Sequence, residues 1–269
     1  MGRIIFINLL LLFSVSVFAN ADTALHLIKE KCVNGNYTNF YADNLGNLYF
    51  IAANNQVKKL NENLDSVAVF NDVRRYGDIY SMDVNNPLKI VVYYKDFTTI
   101  LVLDRFLNVR NTIDLRNAGI LQAKAVAQSY DNNYWVFDEL NSKLKKVDDN
   151  GNVLLESPDF RVLFSYEYIP QQIIDADGAL YFYDAKKGWL IFDYYGAYKK
   201  HIDVAEWKDV KVTRNTLIGV DGNYLYSINA TTFSEQKVKL DLPNAVKIQQ
   251  QSNKLFVLRK DELCRYLIQ

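Results

Sequence analysis

The sequence predicts an all-β fold: a six-bladed β-propeller of four-stranded antiparallel blades, its ring closed by an N-terminal strand that completes the last blade. Three observations predict it. A polar turn followed by a short apolar strand recurs six times, its period matches one propeller blade, and the strand missing from the last copy is found spare at the other end of the chain.

The six copies are NLGNLYFIA (44–52), NNPLKIVVYY (85–94), DNNYWVFD (131–138), ADGALYFYD (176–184), RNTLIGVDG (214–222) and SNKLFVLRK (252–260). Their first apolar residues, Leu48, Leu88, Tyr134, Leu180, Leu217 and Leu255, are spaced by 40, 46, 46, 37 and 38 positions. About 40 residues is the length of a four-stranded blade. Each turn is preceded by another strand: YTNFYAD, IYSMDV, AVAQSYD, QQIIDAD, DVKVTR and AVKIQQ. Each apolar strand is followed by a third: QVKKL, TILVLD, KLKKVD, WLIFD, YLYSI and LCRYLI. A fourth follows in five copies: SVAVF, VRNTIDL, NVLLES, KKHIDV and QKVKLDL. The runs are rich in Val, Ile, Tyr and Phe, which suit a pleated, mostly buried surface. Pro87 falls in a turn, and Pro158, Pro170 and Pro243 fall between blades, so none interrupts a central strand. A two-sheet sandwich is the rival fold, but it requires no unit of fixed length.

The sixth copy ends at Gln269 after its third strand. The segment ALHLIKE (24–30) precedes the first full unit, and the expected closure sets it antiparallel to residues 262–268, covering an open sheet edge. Cys32 and Cys264 then fall near one another. In an oxidising compartment such a pair forms a disulfide that clamps the ring; the alternative is two buried thiols.

The first residues read as an export signal. Arg3 supplies a positive start, Ile4 to Val17 an apolar run, and Ala19-Asn20-Ala21 the small residues read by a signal peptidase. The expected organisation is a signal peptide over 1–21 and one propeller domain over 22–269, periplasmic or secreted. The apolar run is shorter than the roughly 20 residues of a membrane span, and no second hydrophobic stretch follows, so no span is expected after cleavage. The formal net charge is +0, with both signs interspersed, which excludes a nucleic-acid footprint.

The unit, an apolar first strand and a (D/N)-x-(G/N)-x-L-Y-(F/V) second strand followed by an amphipathic third, resembles the six-bladed propellers of the NHL and TolB-like type. The resemblance covers residues 22–269 as a pattern and not as a motif; the turn glycine is absent from RNTL and SNKL. The Asn-, Lys- and Tyr-rich composition also resembles that of propeller-like accessory subunits of the Bacteroidota type 9 secretion translocon, which implies a protein partner in the cell envelope.

Catalytic signatures are absent from the sequence. There is no Walker loop, G-x-G-x-x-G, G-x-S-x-G, C-x-x-C or H-E-x-x-H. The two histidines, His26 and His201, fall in different outer strands, and no cofactor is expected. The acidic turns at Asp148-Asp149, Asp175–Asp177 and Asp221 read as turn chemistry more readily than as calcium ligands. Lactonase-like propellers hold a metal over the channel with acidic and amide side chains, and Asp43, Asp83, Asp131 and Asp177 are the positions this chain could offer.

The remaining signal is aromatic. The connection before the fourth blade, PDFRVLFSYEYIP, places Phe160, Phe164, Tyr166 and Tyr168 outside regular strands, and other connections contribute Arg74, Arg75, Tyr76 and Trp207. Tyr, Trp and Arg on the face that carries these connections make a candidate partner-binding set. The alternative is that they fold back to cap the blades, and the sequence leaves both open. The expected function is therefore a non-catalytic, exported binding propeller; a metal-dependent hydrolase or a glycan-binding module is the alternative.

Overall fold

The computed structural model describes residues 23–71, 73–164 and 166–269. The expected signal peptide lies outside the described residues. Six blades follow one another around the ring. Blade 1 is Tyr37–Ala42, Leu48–Ala52, Val57–Leu60 and Ser66–Phe70; blade 2 is Ser81–Asp83, Lys89–Tyr94, Thr99–Asp104 and Val109–Asp114. Blade 3 is Ala123–Gln128, Tyr134–Asp138, Lys143–Val147 and Val153–Glu156; blade 4 is Gln172–Ala176, Ala179–Asp184, Gly188–Asp193 and Tyr198–Ile202. Blade 5 is Lys208–Thr213, Thr216–Asp221, Tyr224–Asn229 and Glu235–Lys239. Blade 6 has only three strands of its own region, Lys247–Gln251, Lys254–Leu258 and Glu262–Ile268; its outer strand is Leu27–Asn34.

The ring closes as the leftover strand requires, but in a shifted register. The closing strand is Leu27–Asn34, not 24–30; it runs antiparallel to Glu262–Ile268 from Leu27 opposite Ile268 to Asn34 opposite Glu262, with a bulge between Lys29 and Lys31. Thr23–Ala24 pairs instead in parallel with Val238 and Lys239 at the rim of blade 5. Two outer edges compete for this segment, and the chain satisfies unpaired backbone groups on both. Cys32 stands opposite Cys264 in the ladder, and the two form a disulfide.

The core lies between blades. Among the described residues, six apolar clusters fill the six inter-blade spaces, for example Tyr49, Tyr94 and Leu101 between blades 1 and 2, and Trp189, Trp207 and Leu217 between blades 4 and 5. This explains the continuous apolar runs of the second strands and of the third strands of blades 2 and 4. Each is covered on both faces by a neighbouring blade, so LYFI, TILVLD and YWVFD are buried residue after residue. Inner strands keep an alternation of buried and half-buried residues, as in Ala123–Gln128, because one side meets a blade and the other the axis.

The recurring Asp and Asn are turn devices. Oδ1 of Asp43 accepts from the backbone N–H of Leu45 and Asn47, each at 2.9 Å, and Asp148 does the same with Asn150 and Asn152 at 2.9 and 2.8 Å. Asp104 and Asp193 repeat the arrangement. The connections also contain short helical turns at Val73–Tyr76, Leu115–Ala118 and Phe160–Phe164 that the strand pattern did not announce. The second begins where Asp114 accepts from the N–H of Arg116, which ends the outer strand one residue before Leu115.

Candidate functional site

Two features stand apart from the regular packing: a cavity on the ring axis and a run of connecting loops on one face.

The axial cavity has a volume of about 310 Å3 and is lined by the inner strands of all six blades. The strands cross-brace one another there. Asp83 of blade 2 accepts from the Gln128 N–H of blade 3 at 2.8 Å. Asp175 of blade 4 accepts from the Tyr130 N–H and the Trp135 indole of blade 3 at 3.1 and 3.0 Å. Asp209 of blade 5 accepts from the Ile248 N–H of blade 6 at 2.8 Å, and Gln249 of blade 6 from the Ala42 N–H of blade 1 at 3.0 Å. Inner strands are edge strands, and Asp83, Asp209 and Gln249 supply acceptors to inner-strand N–H groups of the next blade. Lys211 and Lys247 also line the cavity. Burial pushes both ammonium groups down to about 8, against the opposing pull of Asp43 on Lys211 and of Asp209 on Lys247. Burial pushes the carboxyl groups of Asp83 and Asp209 upward, and the Tyr41 phenol up to about 12.

The loop face is stitched together by hydrogen bonds to backbone carbonyls. The Leu115 N–H donates to Thr98 O, Thr98 Oγ1 to Leu121 O, the Glu139 N–H to Gln122 O, and the Phe160 N–H to Ser142 O. These bonds join the loop 95–98, the connection 115–122, the loop 139–142 and the start of the connection 157–171 into one run around blades 2 to 4. The same run carries Phe97, Leu121, Leu140, Val162 and Leu163, each between 43% and 78% exposed.

The structure separates the sequence-predicted residues. Phe160 is buried between blades 3 and 4, its ring 5.2 Å from Phe137, 5.9 Å from Phe182 and 5.4 Å from Phe192. Tyr168 is buried, with its hydroxyl 2.7 Å from Phe182 O and 2.9 Å from Gly188 O. Phe164 is half-buried against Phe192 and Tyr198. Trp207 is buried over Gly219, where a Cβ would lie 2.5 Å from the indole ring. Tyr76 is buried beside Tyr94. These five side chains cap or wedge the blades. Tyr166 and Arg75 face solvent, and the side chain of Arg74 lies outside the described residues.

The four aspartates considered for a metal lie in separate settings. Asp43 closes its own turn, Asp83 faces the axis, Asp131 pairs with Lys146, and Asp177 accepts from the Asn215 N–H at 2.8 Å. His201 Nε2 lies 2.5 Å from Lys187 O on an outer strand. Sequence reasoning missed the axial lysines and the exposed loop apolars. Charged residues inside the inner strands DVKVTR and AVKIQQ, and apolar residues in loops of only four residues, were the available signals.

Such an arrangement defines a β-propeller. No family model matches the chain, and no curated protein matches it in sequence. Among solved structures it is similar to a streptogramin B lyase, with 16% identity, a TM-score of 0.59, and 86% of this chain and 78% of that chain covered. It is also similar to a catalytically inactive virginiamycin B lyase from Staphylococcus aureus with quinupristin, at 13% identity and a TM-score of 0.61 over 88% of this chain and 99% of that one. The Pan2 WD40 domain of Neurospora crassa gives 13% identity and a TM-score of 0.60 over 89% and 80%. At these identities the likeness is one of fold.

Proposed function

We propose that this protein is an extracytoplasmic, non-catalytic propeller that binds a protein partner through the loop face of blades 2 to 4, as an accessory subunit of a cell-envelope or secretion assembly. The observation that carries the reading is the run of interlocked loops presenting Phe97, Leu121, Leu140, Val162 and Leu163 to solvent. Exposed apolar side chains on neighbouring, hydrogen-bonded loops supply what an interface core requires. The disulfide fits an oxidising compartment, and among the described residues no helix is long and apolar enough to cross a membrane. The composition supports the narrower reading, an accessory subunit of a type 9 secretion translocon.

The test is chemical crosslinking and size-exclusion of the native protein from detergent-solubilised envelopes, compared with L121D/V162D. Both positions are exposed, so the variant keeps its melting temperature. A defined complex that the variant fails to form supports the proposal; a lone monomer at every concentration overturns it. An enzymatic reading draws on the axial cavity and on lyases of similar fold. A metal-dependent hydrolase requires a bound divalent ion, which elemental analysis of the purified protein detects directly.

A further inference from the structure

The axial cavity holds four charged groups, and their compensation is unequal. Both carboxylates are served by backbone donors: Asp83 by the N–H groups of Asn85 and Gln128 at 2.9 and 2.8 Å, and Asp209 by that of Ile248 at 2.8 Å. Each ammonium carries three N–H donors. Among the described residues Lys247 donates to Asn39 Oδ1 at 2.7 Å and Lys211 to Gln251 Oε1, a single neutral acceptor in each case. Lys247 also lies 4.3 Å from the centroid of the Tyr41 ring. Neither lysine is within ion-pair distance of a carboxylate among the described residues. Both side chains are half-buried, and a desolvated cation without a paired anion costs free energy that an anion bound beside it would recover.

The geometry points to a ligand site in the axial cavity, in which Lys211 and Lys247 bind the carboxylate of a small monoanion or of a polypeptide C-terminus. Volume and charge select that class. About 310 Å3 is at the small end of ligand pockets. Asp83 and Asp209 share the cavity, so a second negative charge on the ligand meets repulsion and a dianion is disfavoured. Lys211 and Lys247 stand on adjacent blades and line the same cavity, and each keeps N–H donors for a charge-assisted hydrogen bond to the ligand. The site is separate from the loop face proposed for the protein partner, and each can fail without the other.

The test is isothermal titration of the full chain with three probes: acetate, the peptide acetyl-tetra-alanine as free acid and as amide, and sulfate. Wild type is compared with K211M and K247M, whose folding is checked by circular dichroism. Binding of acetate, weakened about tenfold or more in either variant through loss of one charge-assisted hydrogen bond, assigns the site to free carboxylates. Binding of the free-acid peptide but not of its amide, with the same dependence on the lysines, assigns it to a chain terminus. Absence of binding by both carboxylate probes, equal binding in the variants, or tighter binding of sulfate than of either carboxylate overturns the proposal.

Discussion

Removing the Cys32–Cys264 crosslink in C32A/C264A tests how the ring is held shut. The two cysteines are 232 positions apart, so the bond ties nearly the whole described chain into one loop. The loop-entropy relation assigns such a crosslink about 5.5 kcal/mol of restriction on the unfolded chain at 25 °C, and native disulfides removed from other proteins cost about 2–5 kcal/mol. The folded state loses little else, because the ladder from Leu27 opposite Ile268 to Asn34 opposite Glu262 remains. Cys264 is buried and Cys32 is half-buried, so alanine leaves only a small space. The expected fall in unfolding free energy is therefore about 2–5 kcal/mol. Urea titration followed by circular dichroism measures it, and the denaturant slope m should rise because the uncrosslinked chain unfolds to a more exposed state. Wild type treated with dithiothreitol should follow the variant. A variant within about 0.5 kcal/mol of oxidised wild type, with an unchanged slope, would refute the reasoning that the crosslink restricts the unfolded ring.

Three further outcomes are expected. Phe160→Ala removes a buried ring packed on Phe137, Phe182 and Phe192 and should cost about 3–5 kcal/mol by denaturant titration; a loss under about 1 kcal/mol would mean that the wedge between blades 3 and 4 is not filled by this side chain. Gly188 has φ of 79°, and a Cβ there would lie 2.4 Å from Ile202 O and 2.7 Å from Val204 N, backbone atoms that cannot yield; Gly188→Ala should lower stability by about 2 kcal/mol or more, and a neutral result in a thermal melt contradicts the close approach. Lys211 and Lys247 are depressed to about 8 from 10.5, so folding is opposed while they are charged and that opposition is relieved as pH rises from about 8 toward 10.5. Wild type should gain stability relative to K211M/K247M over that window, by at most about 3 kcal/mol per lysine, with the Tyr41 phenol, raised to about 12, opposing the gain above its ordinary value of 10.0 in both proteins. Parallel stability profiles for the two proteins between pH 8 and 10 would show that the lysines are not held in a desolvated site.

Most of the fold was legible because a blade is a local object. Its four strands are consecutive, its turns are closed by Asp or Asn bonding to N–H groups two and four residues on, and its second strand is a largely apolar run because both faces are covered. The same logic reached the closing strand, since a three-stranded last copy and a spare first strand define a complement. It missed the exact register by three residues, because Thr23–Ala24 found a second edge at blade 5. The candidate site was much less legible. An aromatic in a connection reads the same whether it faces solvent or folds inward. Phe160 and Tyr168 fold inward because neighbouring blades diverge from the axis and leave a wedge between blade 3 and blade 4, whose rings come from positions 137, 182 and 192.

By itself, then, the sequence determined the repeating unit, the number of blades, the closure and the apposition of Cys32 and Cys264, all of which follow from hydrophobic period, turn chemistry and strand count. Only the tertiary structure decided which side chains are exposed and which charges meet on the axis. Lys211 and Lys247 are unremarkable in their own strands, 36 positions apart; they share one cavity with Asp83 and Asp209 because ring closure brings six distant inner strands around a common axis, where desolvation and proximity act together.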